Sequence, residues 1–134
     1  MANEAVIIEL LGDRGDPIRY TVANGTGIVK GTLLKVTDPR TAIATSADND
    51  PFAGIAAAEK VASDGSTTLA AYTHGIFDLT DSGAAITVGE RVSMAGANLI
   101  SKVAAADLLF ADVGIALETA SASEVIAVLV GSGF

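Results

Sequence analysis

Apolar and polar residues alternate in short runs along most of the chain. In "IRYTV", the side chains of Ile18, Tyr20 and Val22 fall on one face, which predicts a half-buried β-strand. The dipeptide Asn24-Gly25 follows directly and is typical of a tight turn. This unit of a short strand and a turn predicts a chain built from β-structure.

Further segments of the same kind are bounded by Gly, Asp and Asn turns. They read "GIVKGTLLKV", "TAIAT", "FAGIAAAE", "TTLAAYTHGIFDL", "AITVGERVSM" and "EVIAVLV". The last is apolar throughout, so we expect it to be buried on both faces or covered by a partner. One short helix is predicted, at "KVAAADLLF". The pattern indicates an all-β fold, a small barrel or sandwich with at most one short helix.

Three apolar motifs occur twice, in the same order. The paired glycines are Gly31 and Gly89, Gly54 and Gly114, and Gly75 and Gly131, with offsets of 58, 60 and 56 residues. We interpret this as an internal duplication of two units, about 28–75 and 86–131, which pack together to close one barrel. They lie in a single β domain, 17–134, after an N-terminal arm, 1–16. Glycine is expected at positions 54 and 114 because a neighbouring strand crosses closely there.

Composition adds a reason to expect self-association. Half of the 134 residues are apolar, but only four are Phe, two are Tyr and none is Trp. Such a core is thin, and burial between subunits would strengthen it. The net charge of −8 argues against nucleic acid as a direct partner. No run of about 18 apolar residues is present, so we expect no membrane span.

Candidate catalytic and metal-binding residues are few. His74 is the single histidine, and the adjacent Thr73 should point to the opposite face of a strand, so no catalytic residue is predicted. The segment "SADND" places Asp48 and Asp50 close together but lacks the closing glutamate of a calcium loop, which favours a solvated turn. We therefore expect an enzyme activity, a metal site and a cofactor all to be absent.

The order of the motifs over residues 15–130 resembles the capsid decoration (cement) proteins of tailed phages and related viruses. The motifs are Gly15-Asp16, Gly54-Ile55-Ala56, Gly75-Ile76-Phe77-Asp78-Leu79, Gly89-Glu90-Arg91-Val92, Gly114-Ile115-Ala116 and the Val-rich segment from Val125 to Val130. The sequence departs from the pattern in its longer apolar start and in Asp78, where the family often has an apolar or small residue.

The resemblance implies a structural role. Such proteins bind the outside of an assembled icosahedral shell, commonly as trimers, and reinforce it against the pressure of packed DNA. The expected partners are the major capsid protein of the same virus and two further copies of this chain, with neither nucleic acid nor membrane. The protein would be made in the host cytoplasm and reside on the outer capsid surface. The alternative is a small β-barrel ligand-binding or carrier module of a cellular protein, with a ligand in its mouth.

Two apolar segments are predicted to form the capsid or subunit interface. In the arm these residues are Val6, Ile7, Ile8, Leu10, Leu11, Arg14 and Asp16, and in the last strand they are Val125, Ile126 and Val128. An apolar terminus left loose would be an aggregation hazard, so we expect the arm to contact a sister chain or the shell. Deleting residues 2–13 is predicted to leave a folded domain.

Overall fold

The computed structural model describes residues 2–9, 17–105, 107 and 109–131. These residues form eleven β-strands and one 3₁₀ turn, Leu109–Ala111. The strands are β1 Val6–Glu9, β2 Ile18–Thr21, β3 Leu33–Asp38, β4 Thr41–Ala44, β5 Phe52–Ala56, β6 Thr68–Tyr72, β7 Gly75–Asp81, β8 Arg91–Met94, β9 Leu99–Lys102, β10 Asp112–Ala116 and β11 Val125–Val130. The predicted all-β class is confirmed.

Two closed barrels of five strands follow each other along the chain. The first closes in the order β2-β4-β3-β5-β6, and the second repeats that order as β7-β9-β8-β10-β11. In both, the first and third strands pair in parallel and the other pairs are antiparallel. Each repeated unit therefore closes a barrel of its own, whereas we had expected the two units to share one barrel.

The repetition extends to single hydrogen bonds. Ile28 bridges Lys60 in the first barrel, and Ile86 bridges Ala120 in the second. Tyr72 pairs with Ile55, and its counterpart Leu129 pairs with Ile115. This register gives an offset of 57 residues between β6 and β11. The sequence comparison, which aligned Gly75 with Gly131, gave 56.

The boundary between the barrels falls inside a segment predicted as one strand. "TTLAAYTHGIFDL" forms both β6 and β7, and Thr73 and His74 carry the chain from the first barrel to the second. The predicted units, 28–75 and 86–131, therefore each begin after the first strand of the barrel they describe. Gly75, predicted to end the first unit, is the first residue of β7 in the second barrel. The predicted helix is also wrong: Lys102 ends β9, and Leu109–Ala111 is a 3₁₀ turn. Residues 106 and 108 of that segment lie outside the described part of the chain.

Side chains of different size fill the two barrels. The first contains a cluster of small and medium residues, namely Val22, Ile28, Leu34, Ala42, Ala53, Ala56, Leu69 and Ala71. At the positions of Ala42, Ala53 and Ala71 the second barrel has Ile100, Val113 and Val128, all fully buried. The hydroxyl of Tyr20 completes the first cluster by donating to the Ala53 carbonyl at 2.7 Å, and burial raises its pKa against the smaller opposing effect of Arg40.

Two glycines allow neighbouring strands to approach closely, as predicted. A Cβ atom on Gly54 would lie 2.8 Å from the Tyr72 carbonyl oxygen, and one on Gly114 would overlap the Leu129 carbonyl oxygen. These positions correspond in the two barrels, because Gly54 pairs with Leu34 and Gly114 with Val92.

The barrels pack on each other through apolar side chains and the turn between β8 and β9. Leu33 and Ile55 of the first barrel are completely buried in the cluster that fills the second, and the Tyr72 ring packs on Phe77 with centroids 6.0 Å apart. Buried Asn98 lies at the centre of this joint. Its side chain accepts a hydrogen bond from the Leu33 N–H and donates one to the Ala2 carbonyl.

Candidate functional site: the outward face of the second barrel

The outward face of β1, β7 and β11 carries exposed apolar side chains. Register places Val6 opposite Asp78 and Asp78 opposite Ala127, while Val125 lies opposite Thr80. Val6, Ile8 and Val125 are each more than half exposed. We refer to these three residues as the outer patch. In a chain with net charge −8, apolar side chains gathered on one sheet face indicate a surface that meets a partner.

The predicted interface residues divide according to strand alternation. Val6, Ile8 and Val125 point outward and form the outer patch. Ile126 and Val128 are buried inside the second barrel, and Ile7 packs against the same core. Their side chains are thus unavailable to a partner, because neighbours along a strand face opposite sides. Leu10, Leu11, Arg14 and Asp16 lie outside the described residues.

The N-terminal segment is held in the joint between the barrels. The Ala5 N–H donates to the Gly31 carbonyl at 2.5 Å, and β1 pairs antiparallel with β7. Gly31 has φ = 89°, and a Cβ atom there would collide with the Ala5 carbonyl. Ala5, Val6, Ile7, Lys30 and Gly31 line an open groove of about 350 Å³ beside this crossing. Residues 2–9 therefore contact their own chain, while the side chains of Val6 and Ile8 are more than half exposed, so the expected contact with a sister chain or the shell stays a prediction.

An ion pair lies on strands β8 and β10 of the same barrel. Arg91 of β8 donates from Nε to Asp112 Oδ2 at 2.8 Å and also from Nη2. The second carboxylate oxygen, Asp112 Oδ1, is buried and has no hydrogen-bond partner within the described part of the chain. Such an oxygen can still accept a hydrogen bond, and a charged donor would interact with it most strongly.

Two large apolar residues on this barrel were missed by sequence reasoning. Leu109 is 89% exposed and Phe110 is 56% exposed, at the 3₁₀ turn that leads into β10. Leu117, just after β10, is also exposed. The signal was present in "DLLF", but the run was interpreted as part of a short helix.

The acidic segment "SADND" is a structural turn, as predicted. Asp50 Oδ2 accepts hydrogen bonds from the Ser46 and Ala47 N–H groups, and Oδ1 pairs with the Lys35 ammonium at 3.2 Å. Burial alone would raise the pKa of Asp50, but these donors together hold it below its ordinary value. Asp48 bridges Ala95, so the turn also contacts the second barrel.

Other candidate chemistry is limited. Thr73 Oγ1 lies 3.0 Å from His74 Nδ1, closer than expected, because both residues lie in the link between barrels and not on a strand. The His74 ring packs where a Cβ atom on Gly131 would be, which gives it a packing role. Within residues 2–9, 17–105, 107 and 109–131, no group of three or more His, Asp or Glu side chains is arranged to hold a metal. That same part of the chain contains no helix of the length and hydropathy needed to cross a membrane.

Comparison with known protein families decides between the two functions left open by the sequence. The profile of the phage cement proteins matches residues 12–131, nearly the whole chain. This chain belongs to the phage cement protein family. The suggested resemblance is thus confirmed, and the family is one of virion-associated structural proteins, not known for enzymatic activity. No match to the chain was found among curated proteins.

Membership of the phage cement protein family changes how the outer patch is interpreted. A ligand-binding module would hold its ligand in the mouth of a barrel, but side chains fill both barrel interiors. A cement protein needs exposed surfaces that bind other protein subunits. The outer patch and the turn at Leu109 and Phe110 are exposed apolar surfaces that could make such contacts.

Proposed function

We propose that this protein binds the outside of an assembled icosahedral phage capsid as a homotrimer and stabilises the shell. The observation that carries the proposal is the outer patch, an apolar surface on a chain that matches the phage cement protein family over residues 12–131. Val6, Ile8 and Val125 bury apolar area against the major capsid protein. Each Å² removed from water contributes about 25 cal/mol, so three aliphatic side chains form a modest contact.

Three modest contacts become one firm attachment when the protein is a trimer. After one arm of a trimer binds, the other two find their sites at high effective concentration, which raises overall affinity without any new contact. A trimer also matches the threefold positions of an icosahedral shell. The acidic surface fits a location outside the capsid, away from the packaged DNA. Residues 17–134 form the trimer-building unit in this proposal, and 1–16 the arm that joins it.

Binding to purified shells tests this proposal. We expect the protein to cosediment with assembled shells, not with free capsid protein, and to raise the temperature at which filled shells release DNA. The double variant Val6→Asp with Val125→Asp should bind at least about tenfold more weakly, a loss of about 1.4 kcal/mol. The matched control is Val61→Asp with Val88→Asp, because both valines are more than half exposed but lie in loops away from the outer patch. Equal binding by both double variants would remove the outer patch from the proposal, and no cosedimentation of the wild type would end it.

A further inference from the structure

The joint between the two barrels is asymmetric. The first barrel contributes a row of side chains, Leu33, Ile55 and Tyr72, which pair with one another across β3, β5 and β6. The second barrel contributes the turn between β8 and β9, where Asn98 accepts the Leu33 N–H at 2.8 Å and the Gly96 carbonyl accepts from Thr45 Oγ1 at 2.9 Å. Each barrel thus uses a different surface in the joint.

The row of the first barrel has a counterpart on the second. Arg91, Ile115 and Leu129 pair across β8, β10 and β11 in the corresponding register. Leu33 and Ile55 are completely buried by the neighbouring barrel, whereas Arg91, Ile115 and Leu129 are each only partly buried. The surface that binds a barrel in the first half of the chain is thus repeated in the second half without a barrel against it.

The turn of the second barrel likewise has a counterpart on the first. Strands β3 and β4 pair in the register of β8 and β9, which places Arg40 at the position of Asn98. Both residues have positive φ, 48° for Arg40 and 57° for Asn98, so the two turns share a backbone conformation. Arg40 is exposed, and Asn98 is buried in the joint.

A third element of the joint is repeated as well. The turn before β5 contacts the second barrel, where the Asn49 N–H donates to the Met94 carbonyl. The segment before β10 takes the same place in the second barrel and carries Leu109 and Phe110, the exposed apolar residues described above. In the joint within the chain this turn is polar, but its free counterpart is apolar, as expected of a segment that contacts another subunit.

We propose that copies of this chain associate head to tail and that each contact between copies repeats the joint between barrels. The turn at Arg40 of one copy packs on Arg91, Ile115 and Leu129 of the next copy, and Leu109 and Phe110 cover the neighbouring edge. A head-to-tail interface forms a closed ring when its rotation closes. With three copies the ring contains six barrels. The inference rests on the proposed homotrimer and names the contact that builds it.

Asp112 supplies the opposite charge that two arginines at this pairing require. At its centre the joint inside the chain joins uncharged groups, since Asn98 meets the backbone of Leu33 and Phe52 packs nearby, and Asp48 bridges Ala95 at its edge. At the corresponding places between copies stand Arg40, Arg91 and Asp112. The buried Asp112 Oδ1 lacks a hydrogen-bond partner in the described chain, and the Arg40 guanidinium of the next copy has donors for it beyond the one it gives to the Arg19 carbonyl.

Engineered disulfides test this contact directly because the chain has no cysteine. Asn98 and Leu33 meet within the chain, so Arg40→Cys combined with Arg91→Cys should cross-link between copies on oxidation, giving covalent dimers and trimers. The control pair Arg40→Cys with Val61→Cys should stay uncrosslinked. Independently, Leu109→Asp with Phe110→Asp should raise the dissociation constant of the trimer at least about tenfold, measured by light scattering against dilution. The control Val61→Asp with Val88→Asp should leave it unchanged.

The outcomes separate this contact from the broader proposal. A trimer by mass, with a cross-link between positions 40 and 91, supports the head-to-tail contact. If the protein is a trimer but shows no such cross-link and is insensitive to changes at Leu109 and Phe110, the proposed contact is wrong. The proposed trimer is then still supported. A chain that stays monomeric in solution and on shells overturns both. If the trimer forms the cross-link but does not bind shells, only the proposed capsid function is wrong.

Discussion

The side-chain oxygen of Asn98 accepts a hydrogen bond of 2.8 Å from the backbone N–H of Leu33, although 65 residues separate them. The same side chain donates to the Ala2 carbonyl at 2.9 Å. One buried amide thus connects the first barrel, the second barrel and the N-terminal segment. Because Asn98 and the Leu33 N–H are buried, loss of that hydrogen bond would leave the N–H without water or a partner, whereas the Ala2 carbonyl belongs to an exposed residue.

Replacing this amide should destabilise the whole chain. We expect Asn98→Ala to lower the free energy of unfolding by about 2–4 kcal/mol, because it leaves the buried Leu33 N–H unpaired, removes the hydrogen bond to the Ala2 carbonyl and puts alanine at positive φ. Urea unfolding measures the loss. The control is Asn3→Ala, which makes the same substitution at a positive φ of 65° in an exposed residue and should cost less. Equal losses would mean that the backbone conformation matters and the hydrogen bonds do not.

A methyl group at Gly114 should disrupt the second barrel. Its Cβ would overlap the carbonyl oxygen of Leu129 on the neighbouring strand, and backbone cannot move as a side chain can. We expect Gly114→Ala to cost about 3 kcal/mol or more, or to prevent folding. Gly25→Ala is the control, since no atom lies within 4 Å of its Cβ position, and its melting temperature should stay near that of the wild type. A stable Gly114→Ala protein would contradict the close crossing of β10 and β11.

Deleting residues 2–9 should lower stability. The deletion removes β1 from β7, takes away the carbonyl that Asn98 donates to, and exposes the surface that Ala5 covers. We expect a loss of about 2 kcal/mol or more, visible as a lower melting temperature in the free protein. The sequence predicts that a chain without residues 2–13 still folds but binds its partner at least about tenfold more weakly, and the contacts of residues 2–9 add this cost in stability. Val6→Ser, which changes only an exposed side chain, should leave the melting temperature nearly unchanged.

The Asp50 carboxylate should make stability depend on acid pH. Its pKa is held below the ordinary value of 3.8, so its contribution to stability is complete above about pH 5 and is lost as pH falls through the folded-state pKa. We expect Asp50→Asn to be less stable than the wild type at neutral pH and to approach it between about pH 4 and about pH 2. Asp38→Asn, an exposed change of the same charge, should track the wild type throughout. A gap for Asp50→Asn that does not narrow at acid pH would refute the assignment.

Much of the fold could be predicted from local pattern. Alternation and turn residues indicated strands near β2, β4, β5 and β11, and the repeated glycines indicated both the duplication and the close crossings. The division into two barrels could not be predicted this way, because an apolar strand looks the same whether its sheet closes with neighbours in its own unit or in the other. The boundary between the barrels lies in the link at Thr73 and His74. This link contains no proline or charged residue that would signal a boundary in the sequence.

The candidate site was harder to predict, for a related reason. The segment "VIAVLV", from Val125 to Val130, is apolar at every position, so its sequence alone cannot say which alternate residues face inward. Ile126 and Val128 proved to be core residues, and Val125 an exposed one. The prediction for "DLLF" was wrong because a run of three apolar residues is too short to distinguish a helix from an exposed turn.

The pairing of β1 with β7 has a consequence for how the protein is made. Ribosomes release the chain from its N-terminus, and a unit that has fully emerged can fold before the rest is complete. The first barrel closes with strands up to Tyr72, but Val6 and Ile7 pair with Asp78 and Phe77, which emerge later. Val6 and Ile7 are therefore synthesised before the first barrel but gain their partner strand only after that barrel is complete. During that interval their apolar side chains lack the cover that β7 gives them and are open to contact with other molecules.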